Sequence, residues 1–289
     1  MIDGYTRCCG LIGNPVEHTL SPLIHNTLAE LFSHNLVYVP FRVEEEQVRQ
    51  AVEGAYALNV LGLNVTVPHK SRVMEGLKQI DDLAQKIGAV NTLVRCDGGF
   101  KGYNTDMPGL HRALTGEGIA LEGQEVILLG AGGAARAVAF LCALHQAKRV
   151  YMLNRSIDKA KLVAEEVNAK SGRECIYPMA LEDFRLLPDK KFLAIQATSV
   201  GLYPNTEEAV ISDPAFYEKI HTGYDLIYKP RDTSFMKWVR QSGGKAYHGL
   251  KMLLYQGIIA YELWNGVTVS EEMAAQVYER LEREIYNEK

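Results

Sequence analysis

A glycine-rich segment near the middle of the chain, Gly130–Arg136 (GAGGAAR), limits the folds open to it. It follows the aliphatic run Glu125–Leu129, which predicts a buried strand, and it opens a helical pattern over Gly133–His145. The segment fits G-x-G-x-x-G/A with Ala135 in the third place. In such a turn the glycines allow a tight bend and a close backbone approach to a pyrophosphate, while the helix start supplies N–H donors. The pattern predicts a dinucleotide-binding βαβ unit.

The sequence on both sides of this unit alternates between strand and helix patterns. Later strands are predicted at Arg149–Asn154, Phe192–Ala197 and Tyr224–Ile227, and a helix at Ser156–Ala169. In the first third the predicted strands are Cys8–Ile12, Leu36–Pro40 and Leu61–Val67, the helices are Ser21–Leu31 and Glu44–Leu58, and Asn91–Arg95 with Phe100–Tyr103 forms a hairpin. Ser21 is expected to be the N-cap of its helix, with Pro22 at the first helical position.

Two α/β domains are expected from this alternation. The composition turns to Gly, Glu and Thr around Leu114–Glu125, which suggests a linker. Two helices at Lys251–Gly266 and Ser270–Tyr286 are expected to pack back on the first domain. The predicted first domain is therefore residues 1–113, completed by 251–289. Residues 114–250 are predicted to form a Rossmann-type domain, a doubly wound parallel sheet with helices on both faces.

Charge and cysteine content exclude several protein classes. Lys plus Arg is 31 and Asp plus Glu is 35, so the net charge is 31 − 35 = −4. This balance argues against a protein that binds nucleic acid or an anionic membrane. The apolar run Val126–Leu144 is interrupted by glycines and by Arg136, which favours a strand, a turn and a helix over a membrane span.

Five cysteines, odd in number and without a C-x-x-C pair, favour reduced thiols in the cytoplasm over a zinc site or a disulfide framework. No metal is expected. The N-terminal residues lack a long apolar core, so no signal peptide is expected.

The residues after the second strand of the dinucleotide unit predict NADP rather than NAD. A site for NAD usually has Asp or Glu at this strand end to hold the ribose 2′-hydroxyl. This chain has Asn154, Arg155 and Ser156 there, followed by Lys159. A guanidinium suits the geometry of a 2′-phosphate. The alternative is that Arg155 and Lys159 are solvated charges at a helix start.

Six further polar fragments, taken together in this order, resemble shikimate dehydrogenase over about Gly10–Gly266. They are GNPVEHTLSPLIHN (Gly13–Asn26), GLNVTVPHK (Gly62–Lys70), GAVNT (Gly88–Thr92), GYNTD (Gly102–Asp106), DLIYKP (Asp225–Pro230) and GLKMLLYQG (Gly249–Gly257). The resemblance implies reversible NADPH-dependent reduction of 3-dehydroshikimate to shikimate, on the route to aromatic amino acids. It also implies that the first domain binds the substrate and carries the catalytic residues.

The resemblance assigns site residues by motif position. Lys70 and Asp106 would be the catalytic pair. The substrate residues would be Thr19, Ser21 and Tyr228 around the carboxylate, and Asn64, Thr66, Lys70, Asn91, Asp106 and Gln256 around the ring. The cofactor residues would be Gly130, Ala131, Gly132, Gly133, Ala134, Asn154, Arg155, Ser156, Lys159, Ile227, Gly249 and Met252. A Lys ammonium can stabilise the charge that develops on a ketone oxygen during hydride transfer and deliver the proton.

Three residues depart from the family's usual pattern, and they leave alternatives open. Thr19 stands where Ser is usual, Gln196 where Asn is usual and Lys229 where Asn is usual. A quinate or shikimate dehydrogenase of relaxed specificity, with NAD preference, is the alternative enzyme; Arg155 argues against the NAD part. A non-enzymatic sensor is the other alternative, against which both Lys70 and Asp106 argue. The expected partner is a small-molecule substrate, and a homodimer is left open.

Overall fold

The computed structural model describes residues 2–286 of the chain. Met1 and residues 287–289, which the predicted first domain includes, lie outside the described part. The chain forms two compact units. Unit 1 comprises Met1–Leu110 and Leu253–Lys289, and unit 2 comprises His111–Met252.

The strands and helices follow one another along the chain as β1 (Arg7–Gly13), α1 (Ser21–Leu31), β2 (Leu36–Arg42), α2 (Val48–Ala57), β3 (Gly62–Val65), β4 (Gln79–Ile80), α3 (Asp82–Ile87), β5 (Thr92–Cys96), β6 (Gly99–Tyr103), α4 (Asp106–Gly116), β7 (Glu125–Leu129), α5 (Gly133–Leu144), β8 (Arg149–Asn154), α6 (Ile157–Ser171), β9 (Ile176–Ala180), β10 (Phe192–Gln196), α7 (Pro214–Tyr217), β11 (Ile220–Asp225), α8 (Ser234–Gln241), β12 (Lys245–His248), α9 (Leu250–Asn265) and α10 (Glu271–Tyr286). Short 3₁₀ turns lie at Glu45–Gln47, Arg72–Gly76 and Leu181–Leu186.

Unit 2 contains a six-stranded sheet in the order β12-β11-β10-β7-β8-β9, and every neighbouring pair is parallel. Counted along the chain from β7, this is the Rossmann order 3-2-1-4-5-6 read from β9. The sheet strands are short aliphatic runs that are buried on both faces, such as Phe192–Gln196. An aromatic and aliphatic core that includes Tyr151, Phe192 and Phe216 packs around them.

Unit 1 contains a mixed six-stranded sheet in the order β2-β1-β3-β5-β6-β4. β1 pairs in parallel with β2 and β3, whereas the hairpin strands β5 and β6 are antiparallel to each other and β5 is antiparallel to β3. The C-terminal helices belong to this unit. Trp264 of α9 donates a hydrogen bond to Leu93 O at 2.9 Å, and Arg280 of α10 pairs with Glu30 of α1 at 2.7 Å.

The predicted fold class is confirmed: two α/β domains, the second with Rossmann order, and C-terminal helices that return to the first. Several predicted bounds differ. The helix predicted over Glu44–Leu58 begins as a 3₁₀ turn and becomes α-helical only at Val48. The strand predicted at Tyr224–Ile227 begins earlier and ends at Asp225, because the Asp225 carboxylate accepts the backbone N–H of Ile227 and turns the chain out of the sheet.

Among residues 2–286, no helix has both the length and the apolar character that a bilayer crossing requires. All five cysteines are free thiols.

Candidate functional site

The glycine-rich segment forms the turn between β7 and α5 in unit 2. Gly130 has a φ of +113°, and a Cβ on it would lie 2.9 Å from Thr198 Cγ2 and 3.0 Å from Ala197 O. Backbone conformation and the close approach of the segment after β10 therefore both exclude a side chain. Since the order of the sheet reverses between β7 and β10, the turn lies at the switch point where open α/β sheets bind ligands.

The first turn of α5 presents backbone N–H groups to open space. Gly132 is the N-cap and supplies no side-chain cap, and Gly132–Ala134 are exposed. A Cβ on Gly132 or Gly133 would meet no atom within 4 Å. Free N–H donors at the positive end of a helix bind phosphate oxygens. The turn therefore fits the pyrophosphate of a dinucleotide.

Two cationic side chains follow the end of β8, the strand that pairs with β7. Arg155 and Lys159 are exposed, and neither forms an ion pair with a described residue. Ser156 is the N-cap of α6 and accepts the Lys159 N–H at 3.5 Å, while Asn154 Nδ2 donates to Ser156 O at 2.9 Å. This strand end has no carboxylate over residues 154–157, and Arg155 and Lys159 are unpaired among the described residues, which fits a 2′-phosphate.

The segment after β11 holds Ile227, a further predicted cofactor residue, beside a buried carboxylate, whereas Gly249 follows β12 and Met252 lies in α9. Asp225 is fully buried; its Oδ1 accepts the Ile227 N–H at 3.0 Å and its Oδ2 accepts the Thr233 hydroxyl at 2.6 Å. Burial raises the pKa of Asp225 to about 7. The Gly249 N–H donates to Ile227 O at 3.0 Å, so Asp225 and Gly249 together fix Ile227. Burial also raises the pKa of Tyr228, the next residue.

The departures at Gln196 and Lys229 lie in different surroundings. Gln196 is fully buried at the end of β10, where its Oε1 accepts the Thr198 N–H at 2.5 Å and its Nε2 donates to Val200 O at 3.1 Å. Gln196 therefore shapes the segment beside Gly130. Lys229 is exposed and forms no ion pair with a described residue.

The hydroxyls predicted to bind the carboxylate lie at the start of α1 in unit 1. The prediction that Ser21 is the N-cap is wrong: Leu20 takes that place, and Ser21 is the first helical residue without a capping bond. The reason is that Thr19 Oγ1 accepts the Ser21 N–H at 3.2 Å, and Pro22 has no N–H to satisfy. The Thr19 hydroxyl also donates to Ser21 Oγ at 3.2 Å.

Asn64 of β3 is the centre of a buried hydrogen-bond network. Its Nδ2 donates to Thr92 Oγ1 at 3.1 Å and to Asn91 O at 3.3 Å. Its Oδ1 accepts the Tyr38 hydroxyl at 2.8 Å and faces His25 Nε2 at 3.1 Å. Burial lowers the pKa of His25 to about 3, so this ring is neutral and donates through Nε2–H. All four hydrogen-bonding positions of the Asn64 amide are therefore used within the protein.

Asn91 belongs to the same network but keeps free capacity. Its Oδ1 accepts the Thr105 N–H at 2.7 Å, and its Nδ2 donates to Thr105 Oγ1 at 3.1 Å. An amide nitrogen carries two N–H groups, so one remains for a ligand. Thr105 precedes Asp106, so this network also fixes the start of α4.

Lys70 and Asp106 form a close ion pair in unit 1. Lys70 Nζ lies 2.7 Å from Asp106 Oδ2, and both side chains are partly buried. The neighbouring His69 is fully buried and donates through Nε2 to Val43 O at 2.8 Å, which anchors the segment that carries Lys70. An ammonium group that a carboxylate holds in position can donate a proton to a polar group that binds beside it.

Thr66 and Gln256 are the remaining predicted substrate residues of unit 1. The Thr66 hydroxyl forms no hydrogen bond with a described residue. Gln256 Nε2 donates to Leu253 O at 2.9 Å, and its backbone packs against Gly109, where a Cβ would come within 2.7 Å of Gln256 N. Unit 1 thus contains every predicted substrate residue except Tyr228, and unit 2 contains Tyr228 and every predicted cofactor residue.

Sequence reasoning missed the side chains that support these residues: His25, Tyr38, Thr92, Thr105, Asp225 and Thr233. Asp225 carried a signal, since a carboxylate that ends an apolar strand is uncommon unless it is paired. Tyr38 carried none, because a tyrosine within a strand is typical of any half-buried sheet. Among the described residues, no group of three or more His, Cys, Asp and Glu side chains is arranged to hold a metal.

Family models match most of the chain. The shikimate dehydrogenase substrate binding domain matches residues 11–93, shikimate / quinate 5-dehydrogenase matches 113–197, and the shikimate 5'-dehydrogenase C-terminal domain matches 249–277. The first match ends within unit 1, and the second lies within unit 2.

Individual relatives extend this similarity to nearly the full chain. Shikimate dehydrogenase (NADP(+)) of Desulforamulus reducens is 41% identical over 278 residues, 96% of each chain. A crystal structure of shikimate dehydrogenase in complex with NADP+ is 37% identical, with a TM-score of 0.87 and 97% of each chain covered. Shikimate 5-dehydrogenase from Listeria monocytogenes, in complex with shikimate and NAD, is 30% identical, with a TM-score of 0.89 and coverage of 97% of this chain and 98% of that chain.

Proposed function

Because the chain belongs to the shikimate dehydrogenase family, we propose that it catalyses the reversible NADP-dependent reduction of 3-dehydroshikimate to shikimate, in aromatic amino acid biosynthesis. The observation that carries the proposal is the contact of 2.7 Å between Lys70 Nζ and Asp106 Oδ2. A ketone that accepts a hydride gains negative charge on oxygen and needs one proton. A positioned ammonium meets both needs.

The chain's own residues hold and move the proton in this reaction. When bound, NADPH supplies the hydride to the carbonyl carbon. Lys70 donates an N–H to the carbonyl oxygen and transfers the proton as that oxygen gains charge. Asp106 keeps the ammonium in position through Oδ2. Its Oδ1 forms no hydrogen bond with a described residue, so it can accept one from a neighbouring substrate hydroxyl.

The remaining substrate contacts are assigned by the chemistry of each group. A carboxylate accepts hydrogen bonds only, which suits the hydroxyls of Thr19, Ser21 and Tyr228. Neutral side chains around ring hydroxyls orient the ring and reject analogues that lack them. We assign Thr66, Asn91 and Gln256 to these hydroxyls directly, because each has a polar atom not used within the protein. Asn64 shapes this part of the site.

The cofactor contacts are assigned to unit 2. The backbone of Gly130–Ala134 would hold the pyrophosphate. Arg155, Ser156 and Lys159, with Asn154 beside them, would hold the 2′-phosphate. Ile227, Gly249 and Met252 would line the nicotinamide half. The unpaired state of Arg155 and Lys159 supports NADP over NAD.

Turnover of Lys70 and Asp106 variants tests the proposal. Lys70→Ala is expected to lower kcat by about 10²–10⁴-fold and to leave the KM for shikimate within a few-fold, because the proton is needed in the transition state. Asp106→Asn should lower kcat and raise this KM. The double variant should be little worse than the more impaired single one, because the pair acts as a unit.

Lys170→Ala is the matched control, since it removes a lysine from an ion pair of the same 2.7 Å length, with Glu166. It should keep wild-type turnover. The absorbance of NADPH at 340 nm measures all four variants with shikimate, and quinate in parallel tests the alternative substrate. Folded Lys70→Ala protein with near-normal kcat would overturn the mechanism.

We extend the proposal to a cytoplasmic enzyme, which five free thiols support. Cell fractionation tests this localisation. Light scattering of the purified 32.2 kDa chain would distinguish a monomer from the homodimer that the sequence leaves open.

A further inference from the structure

We propose that Gln196 is a positioning residue for the dinucleotide, because its side chain holds residues 197–200 against the glycine-rich turn at Gly130. The inference rests on the proposed NADP site of unit 2. Gln196 is one of the three departures from the family's usual pattern, so this role belongs to the longer side chain of this protein.

Gln196 ends the strand that lies between the two strands leading into the proposed cofactor residues. In the sheet it stands opposite Leu129 of β7 on one side and Asp225 of β11 on the other. Leu129 precedes the turn at Gly130, and Asp225 precedes the segment that carries Ile227. The segment after β10 therefore leaves the sheet at the edge where open α/β sheets bind ligands.

The Gln196 amide joins two backbone groups of this segment. Its Oε1 accepts the Thr198 N–H at 2.5 Å, and its Nε2 donates to Val200 O at 3.1 Å. The Val200 N–H in turn donates to Thr198 Oγ1 at 3.1 Å. Gln196 is fully buried, so water does not compete for its two hydrogen bonds. One side chain thus fixes a turn of four residues.

The segment has no other hydrogen-bonded link to the sheet. The backbone ladder ends at Ala197, whose N–H donates to Leu129 O at 2.9 Å. In the part of the chain that the structure describes, every hydrogen bond of residues 198–200 stays within residues 196–202. The Gln196 amide is therefore the link between these residues and the sheet. Without it, the segment would open at a lower free-energy cost.

The glycine-rich turn packs directly on this segment. A Cβ on Gly130 would lie 2.9 Å from Thr198 Cγ2 and 3.0 Å from Ala197 O. Further along, a Cβ on Gly201 would lie 3.9 Å from Ile227 Cδ1. The segment thus contacts the turn assigned to the pyrophosphate and approaches a residue assigned to the nicotinamide half. A shift of Thr198 would change the surface on which the turn rests.

This arrangement predicts an effect on cofactor affinity rather than on chemistry. When only a fraction of the free protein holds the conformation that a ligand needs, the apparent dissociation constant rises in inverse proportion to that fraction. Loss of the Gln196 amide lowers the fraction with the segment in place. At saturating cofactor the bound protein has the segment in place, so kcat does not change.

Two substitutions of graded severity test this role. Gln196→Asn is one methylene shorter; an Asn side chain can accept an N–H two residues on, but it does not reach Val200 O. Its Kd for NADPH, measured by fluorescence titration, should rise by about 2- to 10-fold, the equilibrium value of one neutral hydrogen bond. Gln196→Met has a similar length and neither hydrogen bond, so this Kd should rise further. In turnover assays both variants should raise the KM for NADP and leave kcat and the KM for shikimate unchanged.

Asn168→Leu is the matched control, since it deletes another buried amide of unit 2 that binds a backbone segment. Asn168 Oδ1 accepts the N–H groups of Cys175 and Ile176 at 3.1 and 3.0 Å, and Nδ2 donates to Ile176 O at 3.1 Å. Ile176 is the first residue of β9, whereas Gln196 is the last residue of β10. Asn168→Leu and Gln196→Met should both lower the Tm, and only Gln196→Met should raise the Kd for NADPH.

The titration separates this inference from the proposed cofactor site. A Kd in Gln196→Met equal to that of the wild type, or raised no more than in Asn168→Leu, would overturn the inference and leave the NADP site standing. Should Gln196→Met not fold, an unchanged Kd in Gln196→Asn would overturn it in the same way. A wild-type protein that binds no NADPH would overturn the cofactor site itself.

Discussion

A buried polar side chain lies on a sheet strand in each unit of the molecule, Asn64 in one and Asp225 in the other, and the two differ in charge. Asn64 in unit 1 is a neutral amide with four partners, namely Tyr38, His25, Thr92 and the Asn91 carbonyl. Asp225 in unit 2 is a carboxyl group that accepts from Ile227 and Thr233. Both organise segments that carry proposed ligand residues.

The difference shows two ways to hold a binding segment. The Asn64 amide matches donors to acceptors without burying a charge, so its geometry does not depend on pH through its own titration. Two hydrogen bonds do not offset the cost of burying an ionised Asp225, so burial raises the pKa of Asp225 to about 7. The segment that carries Ile227 and Tyr228 is therefore held by a group that titrates near neutral pH.

The largest expected effect on stability comes from exchanging the amide and the carboxyl group at these two positions. Asn64→Asp puts a carboxylate oxygen against Asn91 O, and it is expected to lower the free energy of unfolding at pH 8 by about 3–5 kcal/mol, because the buried charge has no cation beside it. Asp225→Asn keeps an oxygen for Ile227 and a nitrogen for Thr233 without a charge, and it should not lower this free energy. Urea denaturation followed by circular dichroism measures both variants. Equal losses in the two would show that the centres do not differ in this way.

The sequence predicted the parts of the fold and site that local pattern determines. Strands Glu125–Leu129 and Arg149–Asn154 have the predicted bounds, since each is an aliphatic run that ends at a glycine or a polar residue. Lys70 and Asp106 were identified as a pair from motifs 36 residues apart, and they lie in contact.

Other features were missed because distant residues create them. β9 contains Pro178 and is an edge strand, where a missing N–H costs nothing, so its sequence does not read as a strand. The Asn64 network joins residues from α1, β2, β3 and β5, and no single segment signals it. The wrong N-cap at Ser21 has a local origin instead, since the hydroxyl of Thr19, two residues earlier, accepts the Ser21 N–H.

The pH dependence of stability sharpens the comparison for Asp225. Its pKa is about 7 in the folded protein and 3.8 ordinarily, so between these values the unfolded chain is ionised while the folded protein keeps the proton. Stability from this group is complete below pH 3.8 and falls as pH rises towards 7, by about 1.4 kcal/mol per pH unit. Asp225→Asn lacks this loss, so its advantage over wild type should grow by about 2–3 kcal/mol from pH 5 to pH 7. Urea titrations at each pH measure this, and a constant difference would mean that folded Asp225 is already ionised.

The smallest expected effect concerns His25, which acts in the opposite direction. Burial lowers its pKa from 6.5 to about 3. Below pH 6.5 the unfolded chain therefore binds a proton that the folded protein does not bind, and the free energy of unfolding falls as pH falls. Over pH 4–6.5 this slope opposes that of Asp225, and the two partly cancel in the wild type.

His25→Phe keeps an aromatic ring against Tyr38 and removes the titrating group. Asn64 Oδ1 still accepts the Tyr38 hydroxyl, so the amide oxygen keeps a hydrogen-bond donor. Relative to wild type, this variant should gain about 1–2 kcal/mol of unfolding free energy between pH 6.5 and pH 5. His221→Phe, at an exposed position where burial lowers the pKa less, is the matched control and should gain less. A gain in His25→Phe no larger than in this control would show that burial does not keep His25 neutral.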